Sequence, residues 1–62
     1  MLDEACLSKV IDDVIESHPQ QVAQFKTGKE TVLQFLIGMV MRATEGAADP
    51  KITEKLLREK IG

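Results

Sequence analysis

The sequence predicts an all-α fold: a small bundle of four helices, three longer and one short, with short connections. Three observations carry this expectation. Apolar residues recur at helical spacing rather than in alternation. Proline and glycine punctuate the chain between the periodic segments. The third is composition: 62 residues, 44% hydrophobic but with only two aromatics, must build a core from aliphatic side chains and three methionines, which suits helices better than a β-sandwich. A chain of this length forms one domain, residues 1–62, and buries only about 60% of the surface it exposes when unfolded. One small core contributes about 3–5 kcal/mol, so the chain is expected to be a fragment of a larger protein.

Leu7, Val10, Ile11, Val14 and Ile15 fall at i, i+3, i+4, i+7 and i+8, the stripe of an amphipathic helix running from about Asp3 to Ser17. Asp3 is its expected N-cap and Glu4 lies in the positive first turn, while His18 suits the negative end and Pro19 blocks continuation. Pro19 can open the next helix, about two turns with Val22, Ala23 and Phe25 as its apolar edge. Lys26-Thr27-Gly28 closes it, with Gly28 in the left-handed conformation. Val32, Leu33, Leu36, Ile37, Val40 and Met41 then repeat in adjacent pairs every four residues, which marks the central helix over about Lys29 to Thr44. Phe35, Gly38, Met39 and Arg42 form a second, weaker stripe on another face of it. Gly38 costs roughly 1 kcal/mol inside a helix, and its expected use is close approach by another backbone, in helix packing or, as the alternative, in contact with a partner. Gly28 and Gly46 are the other candidate close-approach glycines. Gly46 is placed to end the central helix, and Asp49-Pro50 opens the last one, in which Ile52, Leu56, Leu57 and Ile61 give the apolar edge. Lys51, Lys55, Arg58 and Lys60 are left for solvent, with Glu54 and Glu59.

Ten acidic and eight basic residues give a net charge of -2, not the strongly basic footprint of an autonomous nucleic-acid binder. Charge is unevenly spread: residues 1–25 carry five acidic groups and one basic, residues 26–50 three of each, and residues 51–62 two acidic and four basic. A positive patch can form only at the end of the chain, joined by Lys26, Lys29 and Arg42 from its middle. Catalysis has little to stand on. Asp12 and Asp13 point about 100° apart on a helix, and the neighbours Ser17 and His18 do not face each other. No phosphate-cradling Gly-x-x-x-x-Gly-Lys-Ser/Thr motif occurs. Cys6 and His18 fall short of the about four ligands that zinc needs; Cys6 is expected to act as a small buried hydrophobe. No catalytic residue, metal site or cofactor is therefore expected here. A helix-turn-helix over Pro19 to Thr44 is a structural alternative, but beyond Lys29, Glu30 and Thr31 its second helix offers chiefly Gln34 and Arg42 to base edges. DNA is not an expected partner. A single cysteine, the lack of a basic-then-apolar leader and the lack of any apolar run near the roughly 20 residues of a membrane span predict a cytoplasmic protein without a membrane partner.

The segment Gly28-Lys29-Glu30, the run Phe35-Leu36-Ile37-Gly38-Met39-Val40-Met41-Arg42-Ala43-Thr44, then Gly46 and Asp49-Pro50 form a specific pattern. With Val14-Ile15-Glu16, Pro19 and Val22 upstream and Leu56-Leu57-Arg58-Glu59-Lys60 downstream, it resembles the GatB/YqeY family, the C-terminal tail of the GatB subunit of aspartyl/glutamyl-tRNA amidotransferases, over nearly the whole chain. The resemblance implies an all-helical module at the end of a larger polypeptide. Its parent would use ATP with magnesium, and glutamine as amide donor, to convert Glu-tRNA(Gln) or Asp-tRNA(Asn) to the amidated form in company with subunits A and C. Both chemical sites would lie outside this module, which would hold the tRNA near its elbow and D-loop. By position, Lys29 is the basic residue of the Gly-Lys turn, and Arg42 replaces the lysine that commonly follows the Val-Met pair. Lys26, Lys51 and Lys55, with Arg58 beside them, would add phosphate contacts. Where many relatives carry a basic residue on either side of the loop glycine, this chain has Glu45 and Ala47. Phe25 and Phe35, the only side chains suited to base stacking, are expected to be buried, which favours recognition of RNA by shape. The alternatives are a protein-docking bundle, whose second stripe packs on its parent or on a neighbouring polypeptide, and a free-standing YqeY-type protein.

Overall fold

The computed structural model describes residues 3–62, and within them local chemistry sets where each helix starts. α1 (Glu4–Ser17) begins at Asp3, whose carboxylate accepts the Cys6 N–H at 2.8 Å. It ends at His18, whose Nδ1 donates to the Val14 carbonyl at 2.9 Å and so satisfies one orphan acceptor of the last turn. α2 (Pro19–Lys26) has proline at its first position, where a missing N–H costs nothing. α3 (Glu30–Ala43) starts after Lys29, and α4 (Pro50–Ile61) starts after Asp49, whose carboxylate accepts the Lys51 N–H at 2.8 Å. Four helices and short turns make up the described residues, as expected.

α2 and α3 end in the same backbone motif. After α2, Gly28 N–H donates to the Phe25 carbonyl at 2.9 Å and Lys29 N–H to the Gln24 carbonyl at 3.3 Å. After α3, Glu45 N–H donates to Arg42 at 3.2 Å and Gly46 N–H to Met41 at 2.8 Å. This double closure needs a left-handed residue just beyond the cap. Gly28 supplies it after α2 with φ 105°, but after α3 the residue is Glu45 at φ 53°, followed by Gly46 at φ 80°. The turn expected at Gly46 thus begins one residue earlier.

α3 is the central element and packs against the other three helices. Leu33, Leu36 and Val40 point into a core completed by Leu7, Ile11 and Val14 of α1, Val22 of α2, and Leu57 and Ile61 of α4. Arg58, near the end of α4, reaches Glu30 at the start of α3 at 2.9 Å, so these two helices run antiparallel. Ile37 and Met41 of the predicted stripe are only partly buried. α4 is turned slightly from its expected face: the buried stripe runs Thr53, Leu57, Ile61 at i, i+4 and i+8, while Ile52 is 37% exposed. Thr53 Oγ1 finds no hydrogen-bond partner, an arrangement that costs about 1–3 kcal/mol.

Other expectations are corrected by what covers each face. Ala23 and Cys6 are exposed, Cys6 because it lies about 100° around α1 from the buried stripe Leu7, Ile11 and Val14. Phe35 is 44% exposed, because the neighbouring Leu36 takes the core-facing position. No heavy atom counted as a neighbour lies within 4 Å of a Cβ placed on Gly28, Gly38 or Gly46, so none of the three is held by close approach of another part of the chain. Gly28 and Gly46 serve turns, and Gly38 lies open on the outer face of α3.

Candidate nucleic-acid interface

Lys26, Lys29, Arg42, Lys51 and Lys55 are all exposed, and among the described residues none of them enters an ion pair. The remaining cations of α4 are engaged. Arg58 reaches Glu30 at 2.9 Å and Glu54 at 3.5 Å, and Lys60 reaches Asp12 at 2.9 Å. The Arg58 guanidinium holds the Glu30 carboxyl below its ordinary range, and the carboxylate in turn raises Arg58. Both side chains are well exposed, so this pair stabilises the fold only modestly. It places Arg58 beside a carboxylate, unlike the other expected phosphate contacts.

The five expected cations do not form one patch. Lys26 closes α2 and Lys29 precedes α3, so both flank the Gly28 turn. Arg42 sits in the last turn of α3 and Lys51 in the first turn of α4, at the opposite end of the helix. From Lys29 to Arg42 the helix rises about 20 Å, twice the roughly 8–10 Å over which exposed charges sense each other in physiological salt. Lys55 lies one turn along α4 from Lys51. The cations therefore form two separate groups joined by the α3–α4 frame, with Glu45 set into the turn of the second.

Two of the residues considered for catalysis are engaged elsewhere. Asp12 is paired with Lys60, and the His18 ring is turned to the Val14 carbonyl. Asp3, accepting from Cys6, raises the Cys6 thiol and keeps it protonated rather than activated. Among the described residues no three His, Cys, Asp or Glu side chains converge as a metal site, and no helix is long and apolar enough to cross a membrane.

One surface is not foreseen as a whole by the sequence. Between α1 and α3 lies an open depression of about 320 Å³ floored by Val10, Val14, Met39 and Ala43. Beside it the exposed Phe35 meets the His18 ring edge-on, with centroids 5.4 Å apart. The second stripe of α3 supplied half of this signal; the α1 half comes only from how the helices cross.

The family model for the GatB domain matches residues 1–61. The chain is 49% identical over 59 residues to the B subunit of the aspartyl/glutamyl-tRNA(Asn/Gln) amidotransferase of Methanopyrus kandleri, covering 95% of this chain and 13% of that protein. The B subunit of the Geobacillus kaustophilus enzyme is 47% identical over 60 residues, covering 97% and 13%, and that of Prochlorococcus marinus 46% over 59 residues, covering 95% and 12%. The chain thus spans about an eighth of the length of the relatives it matches. No solved structure matches it.

Proposed function

This chain belongs to the GatB/YqeY family, and from that premise we propose that it is the C-terminal tail module of the GatB subunit of a tRNA amidotransferase, positioning tRNA and doing no chemistry itself. In this reading the parent amidates Glu-tRNA(Gln) or Asp-tRNA(Asn) with ATP, magnesium and glutamine, alongside subunits A and C, in the cytoplasm. The module grips the tRNA elbow and D-loop region so that the acceptor end reaches the distant catalytic sites. The observation that carries this reading is the set of unpaired cations from Lys26 onward, Lys26 and Lys29 at one end of α3 and Arg42, Lys51 and Lys55 toward the other, while Arg58 and Lys60 are tied to carboxylates.

Magnitudes suit a tethered contact. A few phosphate contacts on an acidic domain give affinity of about 10⁻⁴ M or weaker. Once the parent holds the acceptor end, the elbow is presented at an effective concentration of order mM, and such a contact contributes. The test is an amide NMR titration of the 62-residue chain with unmodified tRNA at about 20 mM and about 150 mM salt. About four phosphate contacts should weaken binding by roughly a few hundredfold to a thousandfold between these conditions. Shifts should cluster at Lys29, Arg42 and Lys51, and replacing Lys29 and Arg42 with Ala should reduce them with the helical fold intact. Absence of shifts at both salts, up to millimolar tRNA, would defeat the reading.

A further inference from the structure

With Phe35 exposed, the chain is not confined to recognising RNA by shape. Phe25 packs partly buried against the core, whereas Phe35 stands outside it and is 44% exposed. Among the described residues it is the only exposed aromatic side chain, in a sequence without tyrosine or tryptophan. Its ring is not left to swing: His18 meets it at an interplanar angle of 79°, and the His18 ring is itself tied to the Val14 carbonyl. A ring already held in place gives up little freedom when another ring is laid on it.

The surroundings of Phe35 on α3 select the partner. Arg42 follows seven residues later, almost directly along the same face and about 10.5 Å up the helix. It is exposed and enters no ion pair among the described residues. Gly38 lies between the two, and a Cβ there would meet nothing within 4 Å, so the way from ring to guanidinium is open on that side. Glu30, the only carboxylate of α3, lies about 140° round the helix from Phe35 and is paired with Arg58. Asp13 borders the neighbouring depression from the α1 side. A held aromatic ring that leads to an unpaired arginine along a face without carboxylates offers what a nucleotide needs, stacking for its uncharged base and a cation for its phosphate. Building on the tRNA reading, we propose that Phe35 stacks an unpaired base of the bound RNA while Arg42 holds a phosphate of the same stretch. A duplex keeps its bases inside, so the segment recognised here is a single-stranded loop.

The test uses the absence of tryptophan from the sequence: Phe35→Trp introduces a single indole reporter. Unmodified tRNA should bind this variant at least as tightly as the unaltered chain and quench its emission, and a fully paired RNA duplex should quench it far less. Phe35→Leu keeps an apolar side chain but loses the flat ring, and since Phe35 lies outside the core its circular dichroism spectrum should be unchanged. It should weaken tRNA binding at least about fivefold, and by the same factor at about 20 mM and about 50 mM salt, because stacking is not screened. Duplex binding should be the same with and without that substitution. Binding of tRNA by Phe35→Leu within about twofold of the unaltered chain would overturn the proposal and leave the tRNA reading standing. Equal quenching of the indole by tRNA and duplex would do the same, and decides the matter should Phe35→Leu misfold. Absence of tRNA binding by the unaltered chain would overturn both. Shifts of the Phe35 amide on concentrating the chain alone would overturn the proposal in favour of a second copy as what covers this face.

Discussion

The turns at the two ends of α3 share a hydrogen-bond pattern and differ in the residue that bears its backbone demand. Before α3, Gly28 takes the left-handed position and Lys29 follows; after α3, Glu45 takes it and Gly46 follows. In both, a threonine hydroxyl donates back into the preceding helix, Thr27 to the Gln24 carbonyl at 2.6 Å and Thr44 to the Val40 carbonyl at 2.9 Å. The first turn is relaxed and cationic. The second holds an L-residue where Cβ crowds the following carbonyl, at a cost of about 1–2 kcal/mol, and sets a carboxylate near Arg42. It can hold that strain because it is fastened to the core: the Thr44 hydroxyl also accepts the Ala48 N–H at 3.3 Å, and Ala48 is 4% exposed. A strained backbone position persists where the surroundings determine it more than once.

Both turns depend on α3 being clamped firmly between them, and the clamp is Leu36, which is fully buried. Leu36→Ala should cost about 2–5 kcal/mol, read as a marked fall in the thermal midpoint; an unchanged midpoint would remove Leu36 from the core and leave both turns without a fixed frame. Gly28→Ala should be the next largest, a loss of about 1–2 kcal/mol in a urea melt. Since its added methyl meets no atom within 4 Å, that loss can come only from the backbone, and a neutral result would mean that this turn relaxes freely. Glu45→Gly should carry the opposite sign, a gain of about 1 kcal/mol or less once the extra freedom of glycine in the unfolded chain is deducted. A loss instead would show that the Glu45 side chain supports the second turn more than its φ strains it.

The helices and most of their boundaries were legible because their signals are local. Asp3, Pro19 and Asp49-Pro50 act within one turn of where they stand, and the paired repeat from Val32 to Met41 needs only helical geometry. What periodicity could not tell was which apolar face would meet a neighbour. Phe35 and Leu36 are adjacent and similarly apolar, yet one is 44% exposed and the other 0%. Likewise Ile52 and Thr53 exchange the fates their hydrophobicity suggests, because the angle at which α4 meets α3 decides which of two adjacent residues is covered. Exposure of the five expected cations was readable from amphipathicity. Their division between two ends of α3, and the capture of Arg58 and Lys60 by Glu30 and Asp12, depend on contacts between residues far apart in the chain.

α2 has eight residues and a single buried anchor, Val22. A helix that short is marginal by itself, so its hydrogen bonds last only while Val22 stays seated against α3. Its amides should therefore exchange with solvent through local opening, at a fraction of the free energy needed to unfold the whole domain. Lys26 and the Gly28 turn ride on that segment, whereas Arg42 and Lys51 stand at the ends of helices that each bury three or more residues in the core. The cations at the first end of α3 thus sit on a segment that opens and closes locally, and those at the second end on helices that open only with the core.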